Sequence, residues 1–378
     1  MKRLRVIQMI PALNAGGVER CVLETSRALV IQGHDSIVIS NGGRLVKQLE
    51  QEGGKHIPLP VHRKSPLTLC QIQPLRQLLL TLQPDIVHAR SRIPAWVAFL
   101  ALRKMPHASR PHFVTTMHGL HSVSRYSAIM TKGEVVIAGS QTVAHYIRSN
   151  YPECPPERVQ LIPEGVDSVE FPYGYMPPAG WLSAWQKQFP QLAGKTVLAL
   201  PGRLTRLKGH STFINLIESL HRTHPDLHGL IVGGAEPGKE SYETELKAQI
   251  KNAGLESTIS LTGHRSDIRE VMSQCDLIFS LSTKPETFGR TVLEAIKLGK
   301  PVIGWNTGGV GEILEACYPD GCIPKDASSP DEALRNSTEQ WLSNRTTPTN
   351  SALFQLKDMT DSTLNLYQRL VSTSSKPL

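Results

Sequence analysis

Short apolar runs alternate along this chain with stretches whose apolar residues recur at helical spacing, and that alternation restricts the fold more than any other feature. An apolar run without polar alternation reads as a strand buried on both faces, and a parallel sheet covered by helices supplies two such faces. Strands are expected at residues 6–9, 36–40, 85–88, 112–117, 134–138 and 159–162, with helices such as 18–32 and 141–149 between them. The theme then repeats, with strands at 196–200, 227–232, 258–262, 276–281 and 301–305. The helices of this half are expected near 212–221, 242–253, 268–273 and 287–298. Such βαβ units predict an α/β fold with two doubly wound, Rossmann-like parallel sheets.

At one to two hundred residues per domain, 378 residues suit two domains. The expected division is 1–168 and 169–352. Residues 169–188 are rich in Pro, Gly and aromatics and read as an irregular crossing. Helices are expected at 330–342 and near 353–370. The C-terminal segment 353–378 joins the first domain if the termini lie close together. Hydrophobic residues at 40% and charged residues at 20% fit neither a disordered chain nor a membrane bundle. The longest clean apolar run, 95–102, falls well below the roughly 20 residues that span a bilayer. The start, MKRLRVIQMI, has the basic beginning of a signal peptide, but Gln8 breaks its apolar run, so a first strand is expected instead.

Charge is distributed unevenly. Residues 1–168 hold 20 Lys/Arg and 11 Asp/Glu, a balance of +9, while residues 169–378 hold 21 and 22, a balance of −1. An anionic partner of the first half or a solvated basic surface would each explain this. Six scattered cysteines, with no CxxC and no His/Cys cluster at zinc spacing, favour reduced thiols in the cytoplasm and no bound metal.

Ligands of open α/β sheets bind beyond the carboxyl ends of the strands, so the turns after strands carry the chemistry. The first is Asn14-Ala15-Gly16-Gly17, where adjacent glycines admit a ligand to the backbone and a helix N-terminus follows; a tight turn with no ligand has the same sequence. Neither GxGxxG nor a Walker A sequence is present there. After the strand at 196–200 come Gly202, Arg203, Arg206, Lys208 and Gly209, cations in a glycine-bounded loop that suit a diphosphate. The third turn, Pro285-Glu286-Thr-Phe288-Gly289-Arg290, leads into a helix expected to start near 286–288, with Glu294 eight residues beyond Glu286. On one helix that spacing is about 12 Å along the axis and about 80° around it. This exceeds the roughly 5 to 9.5 Å of paired glycosidase carboxylates, so the two acids would grip different parts of a long ligand such as a nucleotide-sugar.

In this order, and with Gly308-Gly-Val-Gly-Glu312 after them, these motifs resemble the retaining GT-B glycosyltransferases of family 4. The resemblance spans nearly the whole chain and includes Thr116-Met-His118-Gly119, Ala138-Gly-Ser140 and Ile162-Pro-Glu164-Gly165-Val-Asp167. In the last of these Glu164 stands where the family commonly has Asn. The resemblance implies a GT-B fold, with two Rossmann-like domains facing a central cleft. It implies that Arg203 and Lys208, with Gly202, bind the donor diphosphate and that Glu294 binds the ribose hydroxyls. Glu286 and the amides of Phe288 and Gly289 would hold the transferred sugar. Gly16 and Gly17 would approach phosphate and acceptor, His118 would lie near the donor sugar, and Gly263 and His264 near the base.

The expected function is therefore retaining transfer of a sugar from a nucleotide-diphosphate sugar to a hydroxyl of a glycan or glycolipid. The basic first half suggests an anionic acceptor, as in lipopolysaccharide core, and an anionic membrane surface as partner, at the cytoplasmic face of the inner membrane. The segment 90–104, apolar from 93 to 102 between basic flanks, suits either an interfacial helix or one packed on the sheet. No cofactor is implied beyond the donor substrate. The chain has no Asp-x-Asp, which argues for metal-independent activity. No nucleic-acid recognition motif accompanies the basic surface. A sugar-nucleotide epimerase of GT-B-like fold and a non-catalytic GT-B scaffold are the alternatives.

Overall fold

The computed structural model describes residues 2–14, 16–235 and 238–373. Ala15 of the first glycine turn and residues 374–378 of the C-terminal segment lie outside the described residues. The chain divides into two compact units, Met1–Gly165 with Leu356–Leu378, and Val166–Gln355. These divisions fall three residues from the expected ones at each crossing.

The first unit contains β1 (Arg5–Met9), α1 (Gly17–Ile31), β2 (Asp35–Ser40), α2 (Val46–Gln51) and β3 (Lys55–Pro58). It continues with α3 (Ile72–Leu82), β4 (Ile86–Ala89), α4 (Arg92–Arg103), β5 (His112–Met117), β6 (Val135–Ala138), α5 (Gln141–Asn150) and β7 (Val159–Leu161). The second unit begins with α6 (Ala179–Gln188), β8 (Thr196–Pro201), α7 (His210–His221), β9 (Leu227–Val232), α8 (Ser241–Asn252) and β10 (Ile259–Leu261). Then come α9 (Ile268–Ser273), β11 (Leu277–Ser280), α10 (Arg290–Lys297), β12 (Val302–Trp305), α11 (Gly308–Cys317), β13 (Cys322–Ile323) and α12 (Pro330–Asn344). The last helix, α13 (Leu356–Ser372), belongs to the first unit.

Both sheets are parallel, in the orders β3-β2-β1-β4-β5-β6-β7 and β10-β9-β8-β11-β12-β13. Every residue of β4, β5, β9 and β12 is buried, which is why these strands lack polar alternation. Strand order reverses between β1 and β4 in one sheet and between β8 and β11 in the other. Crevices beyond the carboxyl ends of strands at such reversals are where open sheets receive ligands.

The helix α13 covers one face of the first sheet. Met359, Leu364, Leu366 and Tyr367 pack with Leu4, Val6, Ile86 and Val114, and Tyr367 is fully buried. Its hydroxyl lies 2.6 Å from Nδ1 of His88, whose Nε2 is 2.6 Å from Thr116 Oγ1, so the polar atoms of this buried ring are satisfied. Burial, and then the nearby Arg90 and His118, hold the His88 pKa well below the ordinary histidine value.

Several elements differ from expectation. The stretch 169–188 is not irregular throughout: its last ten residues form α6, because Trp181 and Trp185, one helical turn apart, stack at 5.2 Å and Trp185 meets Phe189 at 4.4 Å. The strands β3 and β13 are short edge strands, β3 with little apolar signal and β13 only two residues long. In α4, Pro94, Ala95, Val97, Ala98, Ala101 and Leu102 are buried, so this helix rests on its sheet. Among the described residues no helix is long and apolar enough to cross a membrane.

The helix α10 starts at Arg290, not near 286–288. Gly289 precedes it at φ 103°, in the left-handed region, and a Cβ there would lie 2.7 Å from Val310 Cγ2. Glu286 therefore sits in an extended segment that pairs with Gly308, and its carbonyl accepts from the Gly309 amide at 2.8 Å. The helical spacing calculated for Glu286 and Glu294 does not apply, since only Glu294 is on the helix.

Candidate functional site

In the second unit the loop after β8 and the loop after β11 meet at the strand-order reversal. Lys208 Nζ donates to Glu286 Oε1 at 2.7 Å, with side chains 32% and 27% exposed, so the pair is formed yet open to a ligand. The hydroxyl of Ser282 donates to the same carboxylate oxygen. Lys325, beyond β13, donates to the carbonyls of Ser282 (3.1 Å) and Thr283 (2.5 Å) and so fixes the loop that carries Glu286. Lys208, Ser282, Glu286, Gly289 and Thr291 line one small pocket.

Glycines bring the backbone close on the other side of this pair. A Cβ on Gly202 would lie 3.4 Å from Lys208 Cδ, so the lysine stem runs over that glycine. Gly233, after β9, approaches so closely that a Cβ there would be 1.8 Å from the Gly202 carbonyl oxygen. Gly263 pairs with Gly233, and the backbone of His264 lies against Gly234. The expected residues Gly202, Lys208, Gly263, His264, Glu286 and Gly289 thus share the carboxyl rim of β10, β9, β8 and β11.

Arg203 is exposed on the same loop as Lys208. Arg206, the third cation of that loop, is turned aside: it pairs with Glu245 at 2.6 Å and lies over the Tyr242 ring at 5.1 Å. Phe288 is 4% exposed and packs edge-on against Phe354, which makes its ring part of the core. Glu294 is 5% exposed and accepts from Arg290 Nε at 3.1 Å. A buried carboxylate requires such a partner, and the pair orients it on the first turns of α10.

Gly16, Gly17 and His118 belong to the first unit. Gly16 caps α1 at φ 148°, and a Cβ there would meet Glu19 Oε2 at 2.6 Å. His118 follows β5, with its Nδ1 3.3 Å from Glu164 Oε1 and its Nε2 3.5 Å from Arg90. Burial, followed by the positive Arg92 and Lys64, pushes nearby His121 down to about 4, so it is neutral at neutral pH.

Arg90, Ser282, Lys325 and Gly233 were not anticipated from sequence. Arg90 and Ser282 follow strand ends and could have been found by that rule, whereas Lys325 follows an edge strand of only two residues, too short to give a pattern. Among the described residues no group of three or more His, Cys, Asp or Glu is arranged to hold a metal ion.

The sequence pattern of Glycosyltransferase Family 4 matches residues 15–170, and that of Glycosyl transferases group 1 matches residues 183–352. The chain belongs to glycosyltransferase family 4. Its two parallel-sheet units have the GT-B fold, and this family-4 chain is similar over its whole length to a glycosyltransferase from Rickettsia africae ESF-5. That structure is 28% identical, with a TM-score of 0.86, over 99% of this chain and 100% of the other. Anabaena HepE, solved in complex with UDP and glucose, shares the fold at 22% identity, with a TM-score of 0.79 over 97% of this chain and 100% of that one. Among curated relatives, the lipopolysaccharide core biosynthesis mannosyltransferase LpsB of Rhizobium meliloti (strain 1021) is 31% identical over 113 residues, 30% of this chain and 32% of that protein. The match spans about a third of the length of the first curated relatives.

Proposed function

We propose that this family-4 chain transfers a sugar, with retention of anomeric configuration and without a metal ion, from a nucleotide-diphosphate sugar to a hydroxyl of an anionic glycan or glycolipid such as lipopolysaccharide core. The observation that carries the reading is the half-exposed Lys208–Glu286 pair at the β8/β11 reversal, with exposed Arg203 on the same loop. Breaking the anomeric bond places negative charge on the leaving diphosphate. Cations fixed in advance at that position stabilise the transition state without reorganising. In this reading Glu286, with the amides of Phe288 and Gly289, holds the sugar, Glu294 the ribose, and Gly263 and His264 the base. In the first unit Gly16, Gly17 and His118 serve the sugar and acceptor.

The test is product analysis with a panel of UDP-, GDP- and ADP-sugars and acidic glycan acceptors. Glycoside product with the donor's anomeric configuration is expected, at a rate unchanged by a chelator. An inverted product, or turnover that a chelator abolishes and a divalent cation restores, refutes the corresponding part. Sugar epimerisation in the absence of acceptor refutes transfer itself.

An acidic acceptor at a membrane is supported by where the charge lies. Between Gly53 and Gly133 the chain carries 11 Lys/Arg and a single acid, Asp85. Within that stretch Leu67 is 76% exposed, Leu69 49% and Val123 57%, close in sequence to Arg63, Lys64 and Arg125. Exposed apolar side chains among cations suit an anionic lipid surface, and this supports the reading of a protein peripheral to the cytoplasmic face of the membrane. Because α4 is committed to the core, this surface is the one to test. In liposome flotation the protein is expected to rise with anionic vesicles, and Leu67→Ser/Leu69→Ser to rise less. Protein that stays at the bottom with both anionic and neutral vesicles rules the membrane surface out.

A further inference from the structure

At the strand-order reversal of the first sheet, Arg90 follows β4 and is only 4% exposed. Among the described residues no carboxylate lies within ion-pair distance of it. Its donors go instead to neutral acceptors. Nε and one terminal nitrogen reach Gln8 Oε1 at 3.0 and 2.8 Å, and that same terminal nitrogen reaches Thr25 Oγ1 at 2.9 Å. The other terminal nitrogen reaches Cys21 Sγ at 3.1 Å and His118 Nε2 at 3.5 Å.

A guanidinium only donates, so Nε2 is the ring nitrogen suited to accept, but at 3.5 Å this contact is too weak to hold the tautomer by itself. The imidazole proton then resides on Nδ1 and is directed at Glu164 Oε1, 3.3 Å away. Space for that carboxylate depends on Gly139, where a Cβ would lie 3.3 Å from both Cγ and Oε1 of Glu164. The Glu164 side chain is 12% exposed and that of His118 7%, so water competes weakly for these groups.

We propose that Glu164 is a positioning residue, which together with the buried Arg90 clamps the His118 ring in its neutral Nδ1–H tautomer. Both ring nitrogens are then engaged, and His118 acts through a fixed position instead of taking a proton from the acceptor. The Glu164 carboxylate gives this chain a charge-balanced Arg90–His118–Glu164 arrangement. The tautomer follows from geometry alone, while its consequence for turnover rests on the proposed glycosyl transfer.

The test is long-range 1H–15N correlation spectroscopy of the full chain labelled at histidine, at neutral pH, with His118 assigned by the signal lost in His118→Asn. The wild-type ring is expected to show a protonated Nδ1 and an unprotonated Nε2. Glu164→Gln, whose amide oxygen still accepts, is expected to keep that pattern, and Glu164→Ala to shift it toward Nε2–H. With donor and acceptor identified, Glu164→Ala should lower kcat about tenfold and Glu164→Gln should restore most of that loss. An Nε2–H ring in the wild type, or a pattern unchanged in Glu164→Ala, overturns the proposal. The spectrum decides this even if no sugar donor is ever turned over, so its failure and that of the glycosyl-transfer reading are separable.

Discussion

Lys208→Ala is expected to lower turnover by about 100-fold or more, the size of effect seen when a fixed group that stabilises developing charge is removed. The ammonium does two things at this position. It supplies positive charge where the leaving diphosphate becomes more negative, and at 2.7 Å it neutralises Glu286. Without it the Glu286 carboxylate faces the phosphates with no counter-charge from this lysine, so the variant loses an attraction and acquires a repulsion. Arg203→Ala removes only an attraction and should cost less than Lys208→Ala, though still about 100-fold. Lys208→Arg should restore little, because a planar fork does not replace a compact point charge on a flexible stem. Steady-state kinetics of variants with unchanged circular dichroism and unfolding midpoint make the measurement. Near-normal turnover in Lys208→Ala would remove the diphosphate assignment.

Gly209→Ala should produce the largest loss of stability of any single methyl addition in this loop. Gly209 has φ 77°, which costs a residue with a Cβ about 1–2 kcal/mol. The added carbon would also lie 2.1 Å from the Leu281 carbonyl oxygen and 2.7 Å from Leu281 Cβ. The nearest of these is backbone in the segment that carries Ser282 and Glu286, so no rotamer change relieves it and the two loops must separate, at a further ~1–3 kcal/mol. The second unit should unfold on the order of 10 °C lower, and turnover should fall because Lys208 is the adjacent residue. Gly254→Ala is the control. It has a similar φ of 68° but no atom within 4 Å of a Cβ, and should lose only the conformational part. Equal shifts in the two variants would show that close approach to Leu281 is unimportant.

Much of the architecture was readable in the chain because a parallel sheet buries both faces of its strands. Runs such as Leu227–Val232 therefore carry no polar interruption that is not hydrogen-bonded. The edge strand β3 escaped because, with one neighbour, it need not be apolar, and β13 escaped because two residues make no recognisable run. The helix α6 was hidden by Gly174 and Pro178 before it and Gly180 within it, although Trp181, Trp185 and Phe189 already had helical spacing. The start of α10 was misplaced because the left-handed turn at Gly289 is set by Val310 of α11, which no local pattern reports.

Among the site residues, the sequence alone marked Arg203 and Lys208 as candidates for a diphosphate and Glu286 for another part of the same ligand, since the cations, glycines and strand ends are local features. That the side chains of Lys208 and Glu286 touch is a tertiary fact. They are 78 residues apart, and only the placement of β11 beside β8 joins their loops. The same holds for Glu164, which by sequence is a departure from a family pattern and in the fold is a hydrogen-bond partner of His118, 46 residues away. The chain's own periodicity and glycines determined two parallel-sheet domains and the loops that could bind an anion. Strand order, which depends on long-range packing, decided which charges meet there.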